Sequence, residues 1–142
     1  MTYSFGDISL VLRHPTFGSY TAMGEGIGSI TVNMANDVST HDVAADGSVM
    51  TSKIKVSNGT VSLAVQQTSS INKWLTNLYN YLRTAPASEW EGLRISIKAP
   101  TIEQVTNCSR VAFQKFMDKP YQQQGQVVTW SMMAAEIQHD TK

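Results

Sequence analysis
Hydrophobic and polar residues alternate with period two along most of the chain, and the pattern is densest between Gly28 and Gln67. Ser29-Ile30-Thr31-Val32-Asn33-Met34 alternates polar and apolar positions, as a half-buried strand does. After Asp46-Gly47 the chain becomes strand-like again, with Ile54 and Val56 on one face and Lys53, Lys55 and Ser57 on the other. Asn58-Gly59 then predicts a two-residue type I′ hairpin turn, which needs positive φ at both central residues. Such a turn would pair Ser57 with Thr60, Val56 with Val61 and Ile54 with Leu63. The four apolar residues fall on one face, so turn and pattern specify one register. Ala35 to Met50 reads as a mid-chain loop, long for a compact domain, and loops of that length are usually functional or disordered.

The rest of the chain adds further strands and one helix. Ile8, Leu10 and Leu12 alternate with Ser9, Val11 and Arg13 until His14-Pro15 ends the strand. Thr16 to Gly28 is rich in turn glycines. Its Gly24-Glu25-Gly26-Ile27-Gly28 lacks the strand-to-helix context of a phosphate-binding loop, since a strand follows. Ile71, Trp74, Leu75, Leu78, Tyr81 and Leu82 keep helical spacing, which predicts a helix at about 70–83. Ser69 or Ser70 can cap it, Arg83 suits its last turn and Pro86 stops it. Its apolar stripe should lie across an open end or face of the sheet, with Trp74 and the tyrosines as core. Leu93 to Lys98 alternates before Ala99-Pro100. Gln104 to Phe116 is extended with weaker patterning, Asp118 to Tyr121 is a turn, and Gln126 to Ile137 is a last strand before a polar tail. Six or seven strands and one helix, without crossover helices, predict a mainly β fold with a mostly antiparallel sheet, closed as a barrel or sandwiched.

Composition narrows the function. The 142 residues (15.6 kDa) suit a single domain large enough to bury a core without disulfides. Charged residues are 15% of the sequence, against about 25% in typical soluble domains, as suits a surface packed against other proteins. Net charge is zero, yet residues 1–50 carry only Arg13 against Asp7, Glu25, Asp37, Asp42 and Asp46, a net −4, which leaves +4 for the remainder. Opposite halves help identical copies associate head to tail. Cys108 is the single cysteine, so it reads as a small buried hydrophobe. The N-terminus has no signal-peptide pattern, and no apolar run approaches the ~20 residues of a membrane span. Production in the cytoplasm is therefore expected, and the sequons at Asn58 and Asn107 read as chance matches.

Searches for chemistry fail. His14, His41 and His139 lie far apart, no Gly-x-Ser-x-Gly elbow occurs, and no carboxylate pair stands out. An EF-hand counted from Asp42 would put Ala44 and Lys53 where carboxylates belong. No enzyme, metal or cofactor is expected. Lys53 with Lys55, and Arg94 with Lys98, are too few for a nucleic-acid stripe. Weak DNA contact nevertheless suits a protein that lets DNA slide past.

Gly24-Glu25-Gly26-Ile27-Gly28-Ser29-Ile30, His41 through Met50, Asn58 through Ser70, Lys73-Trp74-Leu75, Tyr79-Asn80-Tyr81-Leu82, Lys119-Pro120-Tyr121 and Val128-Thr129-Trp130-Ser131 together resemble the tail tube proteins of contractile-tailed bacteriophages. The resemblance runs over nearly the whole chain. It implies a β-barrel or sandwich flanked by a helix, similar to the type VI secretion tube protein. It also implies a virion protein whose hexameric rings stack into a hollow tube. The partners would be the sheath outside, tape-measure protein and DNA transiently inside, and baseplate and tail terminator at the ends. A ring in which sheets continue from copy to copy leaves no free edge. On that reading the loop at about 35–50 reaches a neighbouring subunit or ring through Val38, His41, Asp42, Val43, Ala44, Asp46, Val49 and Met50. Ser29, Thr31, Asn33, Ser57, Thr60 and Ser62 are candidates to line the bore. Lys53 and Lys55 fit a bore poorly, because fixed cations hold phosphate. The alternatives are a baseplate or tail-end protein of the same fold and a monomeric ligand-binding β-sandwich. A hydrolase would need a cleft joining histidine, carboxylate and nucleophile.

Overall fold
The computed structural model describes residues 2–24 and 26–141. In chain order it has β1 (Ser9–His14), β2 (Gly18–Ala22), β3 (Ile27–Met34), β4 (Ser39–Val43), β5 (Val49–Lys53), β6 (Gly59–Gln66), α1 (Ser70–Thr84), β7 (Leu93–Ala99), β8 (Gln104–Lys115) and β9 (Val127–Thr141). Seven strands form one antiparallel sheet in the order β2-β1-β7-β8-β9-β6-β3, and β4 pairs with β5 alone. The tally of six or seven strands was short. Ser19, Tyr20 and Thr21 give β2 little apolar contrast, β4 and β5 lie within and beyond the presumed loop, and the polar tail from Gln138 to Thr141 extends β9 against β8.

Of the two expected forms, barrel or sandwich, the closed barrel is not formed: among the described residues β2 and β3 make no ladder with each other. The sheet is nonetheless strongly curled. Six inter-strand steps would separate its edges by about 29 Å if flat, whereas β2 ends at Ala22 and β3 starts at Ile27, five peptide steps spanning at most ~18 Å. The two lips must approach at that corner. Gly24 and Gly26 both take positive φ there, in agreement with the turn-glycine reading, while Glu25 lies outside the described residues.

The apolar side of every main strand faces the hollow of the curl, and α1 covers it. Ile71, Leu75, Leu78 and Leu82 of the helix are buried in one core with Leu12, Leu63, Ile95, Val111, Val128 and Trp130. Helix and caps match the prediction to within a residue. Ser69 Oγ accepts the Asn72 N–H at 3.3 Å, and Arg83 occupies the last turn. The Trp130 indole N–H donates to Asn72 Oδ1 at 3.0 Å, while Asn72 Nδ2 donates to the Gln67 carbonyl. This buried amide thus fastens the helix start to the middle of β9. Trp74 packs with Phe17 and Tyr20, as core rather than ligand cage. Cys108 is buried, and burial pushes its thiol up to about 11.

The Asn58-Gly59 turn does not exist. Gly59 begins β6, opposite Met34 on one side and Ala134 on the other, so Val56 never meets Val61. Its φ is not positive, as a type I′ turn requires. Glycine is needed there for another reason: a Cβ would run into the Asn33 carbonyl oxygen and the Ile137 side chain.

Candidate assembly surfaces
Strands β3 and β6 are neighbours, so everything between them is one outgrowth of a single long hairpin. Its root is pinned: the Ala35 N–H donates to the Asn58 carbonyl at 3.1 Å, and Asn36 Nδ2 donates to Asn58 Oδ1 at 3.1 Å. Further out, the Ile54 N–H donates to the Val38 carbonyl, and β4 and β5 pair from Ser39↔Lys53 to Val43↔Val49. The turn uses Asp46-Gly47, with Gly47 at φ +89°. Asp46 Oδ1 accepts the Ser48 N–H at 3.0 Å and the Ser48 hydroxyl at 2.7 Å, and these bonds, the backbone one first, hold its carboxyl below the usual range. The segment Ala35–Met50 is therefore no loop but most of a β-hairpin arm. From root to tip the arm can reach about 30 Å.

All eight residues assigned to inter-subunit contact lie on this arm. Every residue of β4 and β5 is exposed. His41, Thr51, Val43 and Val49 share one face, while Asp42 and Met50 occupy the other. Val43 is 64% and Met50 61% exposed, so neither face of the ribbon is covered. A lone two-stranded ribbon is marginally stable in water, and one with apolar groups on both faces is built to be covered.

A second surface is the side of the sheet turned away from α1. Ser29, Thr31 and Asn33 oppose Ala64, Ser62 and Thr60, which oppose Thr129, Ser131 and Met133. These nine positions carry no charge. The nearest cation across the next ladder is Lys115, opposite Ser131 and 3.8 Å from Asp118. Five of the six bore candidates thus come together. Ser57 does not join them: it sits at the arm's root, where its carbonyl accepts the Ile137 N–H. Lys53 ends β5 on the arm and Lys55 follows it.

The family model for the bacteriophage PhiTE tail tube protein matches residues 1–141. The chain belongs to that family. Similar solved structures agree in fold. The anti-feeding prophage tube terminating cap superposes with a TM-score of 0.62 at 10% identity, covering 100% of this chain and 93% of that one. A chain of the sheath–tube complex of the extracellular contractile injection system PVC, in its extended state, gives 0.60 at 10% identity, covering 94% and 88%. A chain of the six-fold symmetrised anti-feeding prophage baseplate gives 0.59 at 7% identity, covering 99% and 97%. A comparison with curated proteins returns no match. The family assignment makes the chain a structural tail protein, a virion component and not an enzyme.

The histidines fit that role. His14 is buried, its Nδ1 accepting the Thr16 and Phe17 N–H groups, with Nε2 3.0 Å from the Glu89 carbonyl. With Nδ1 taken, Nε2 carries the proton and donates, fastening the β1–β2 turn to the connection before β7. Among the described residues no three His, Cys, Asp or Glu side chains converge, and no helix is long and apolar enough to cross a membrane. In the sequence Asn58-Gly59 outranks Asp46-Gly47 as a turn signal, which hides the arm. The second doublet, flanked by Val43 and Val49, would have located it.

Proposed function
We propose that the chain is the repeating subunit of hexameric rings that stack into the tail tube, through which DNA passes during ejection. The observation that carries this reading is the arm: a pinned ribbon with both faces uncovered, on a sheet whose lips β2 and β3 pair with no further strand among the described residues. Unpaired lips are liabilities in a lone protein. An arm that docks on a different surface of the next copy makes a heterologous contact, which a six-fold rotation closes without free ends. The names of the similar structures, a sheath–tube complex, a tube cap and a six-fold baseplate, support this setting. Sheath would lie outside, tape-measure protein and then DNA inside, and baseplate and terminator at the ends, with assembly in the host cytoplasm. Because one similar structure is a terminating cap, the second reading is a tail-end protein of the same fold.

Negative-stain microscopy of the purified protein tests both. Long tubes are expected; single rings would favour the tail-end reading, and monomers at all concentrations would reject both. Hydrogen exchange on residues 38–50 should slow strongly on assembly, and equal protection in monomer and tube would reject the arm's role.

The uncharged face of β3, β6 and β9 is the proposed bore lining, including Ser29, Thr31, Asn33, Thr60 and Ser62. A polymer of phosphates slides fastest past hydroxyls and amides, because each fixed cation adds an attraction. Thr31→Lys with Ser62→Lys should leave tube assembly intact and slow DNA ejection severalfold at low salt, with the effect shrinking as salt rises. Ejection at the normal rate from normally assembled particles would place this face elsewhere.

A further inference from the structure
On the same side of the sheet, but over β1, β7 and β8, the chemistry changes. Arg13 and Arg94 stand directly opposite each other across the β1–β7 ladder, and Lys98 follows on the same face. Like charges in direct opposition destabilise a sheet. Yet the ion pairs among the described residues, Arg110–Glu91 and Lys115–Asp118, involve none of these three. The cations rim a groove of about 700 Å³ that Val11, Ser96, Asn107 and Ser109 also line, while the side chains of Ile95, Cys108 and Ile137 beside it are buried in the core. Glu136 is its one acid, engaged by the Ser109 hydroxyl at 3.4 Å. The arm of the same chain starts at Ser57 on the rim, but no residue of β4, β5 or their turn lines the groove.

We infer that this groove receives the arm tip of a second copy, with Asp42 and Asp46 against Arg13, Arg94 and Lys98. The inference rests on the tube-subunit reading and specifies its joint. Charge matches: the tip carries Asp42 and Asp46 on an exposed ribbon, and the groove carries three cations that enter no ion pair among the described residues. The match also accounts for two arginines in opposition, since an incoming carboxylate turns a repulsive pair into a chelating one. DNA is the rival ligand. Glu136 within the groove disfavours a phosphate backbone, which is bound by open cationic surface.

Charge exchange tests this in the full-length protein. Arg13→Glu with Arg94→Glu should raise the concentration needed for tube formation by more than about tenfold. Adding Asp42→Arg and Asp46→Arg should recover much of the loss, and monomer thermal unfolding would verify that each variant is folded. Independently, tubes carrying Asp46→Cys and Ser96→Cys should form disulfide-linked ladders on oxidation, with neither single variant doing so. Buried Cys108 stays out of this reaction. If wild-type tubes form and the arginine variant assembles equally well without ladders, the inference fails and the tube reading stands. If the arginine variant assembles normally but loses retention of duplex DNA, the cluster belongs to the bore and the inference is overturned. If the wild type never assembles, both fall together.

Discussion

Replacing residues 39–53 with a short Gly-Ser linker is expected to abolish tube formation while leaving a folded monomer of nearly unchanged stability. The arm contributes no residue to the core, and its outward strands are exposed throughout. The root bonds between Ala35, Asn36 and Asn58 lie outside the replaced segment and remain. Shortening the excursion alters loop-closure entropy by only about 0.5–1 kcal/mol, in the stabilising direction. Assembly, by contrast, loses every contact the arm makes. Sedimentation and denaturant unfolding on one preparation check both halves. Tubes from the truncated chain would show that the lips alone hold the polymer together. A collapse in monomer stability would show that the arm folds back on its own sheet.

The largest effect on the monomer is expected at Trp130. Its ring is fully buried, packs against Phe113 and Phe116, and its indole N–H reaches Asn72. Trp130→Ala should cost about 3–5 kcal/mol through lost contacts and the cavity left behind. Asn72→Ala should cost roughly 1–3 kcal/mol, because it strands the indole N–H and the Gln67 carbonyl without partners. The two groups share one bond, so Trp130→Phe combined with Asn72→Leu should cost less than the sum of the single changes. Chemical denaturation of the wild type, Trp130→Phe, Asn72→Leu and the double variant gives the cycle, and strict additivity would mean that the buried amide does not couple helix to sheet.

Sequence pattern located β1, β3, β6, β7, β9 and the helix, because each buries one face and the period survives over most of its length. It failed where tertiary contact overrode local signal. Asn58-Gly59 looked like a turn because Asn-Gly tolerates positive φ, yet Gly59 is selected by the crowding of Asn33 and Ile137. The weak pattern of Gln104 to Phe116 also has a cause. Burial in β8 falls at Cys108 and then at Val111 and Phe113, while β9 steps from Ala134 to Ile137. Both strands change phase at the same level, beside Arg110, whose φ is +52°. A bulge of this kind re-aims side chains and erases the two-residue period that a reader relies on. Of the candidate surfaces, the residues of the arm and of the uncharged face were legible. The ribbon form of the arm and the Arg13–Arg94 opposition were not, since both depend on pairings between distant segments.

The root of the arm has a mechanical meaning. A pull on the tip enters the sheet at Met34 and Gly59, the ends of two adjacent strands, and not at a flexible tether. β6 is flanked by β3 and β9 along its length, so the load spreads sideways over many rungs. In a polymer joined by such arms, tension would pass into hydrogen-bonded ladders rather than into a flexible loop.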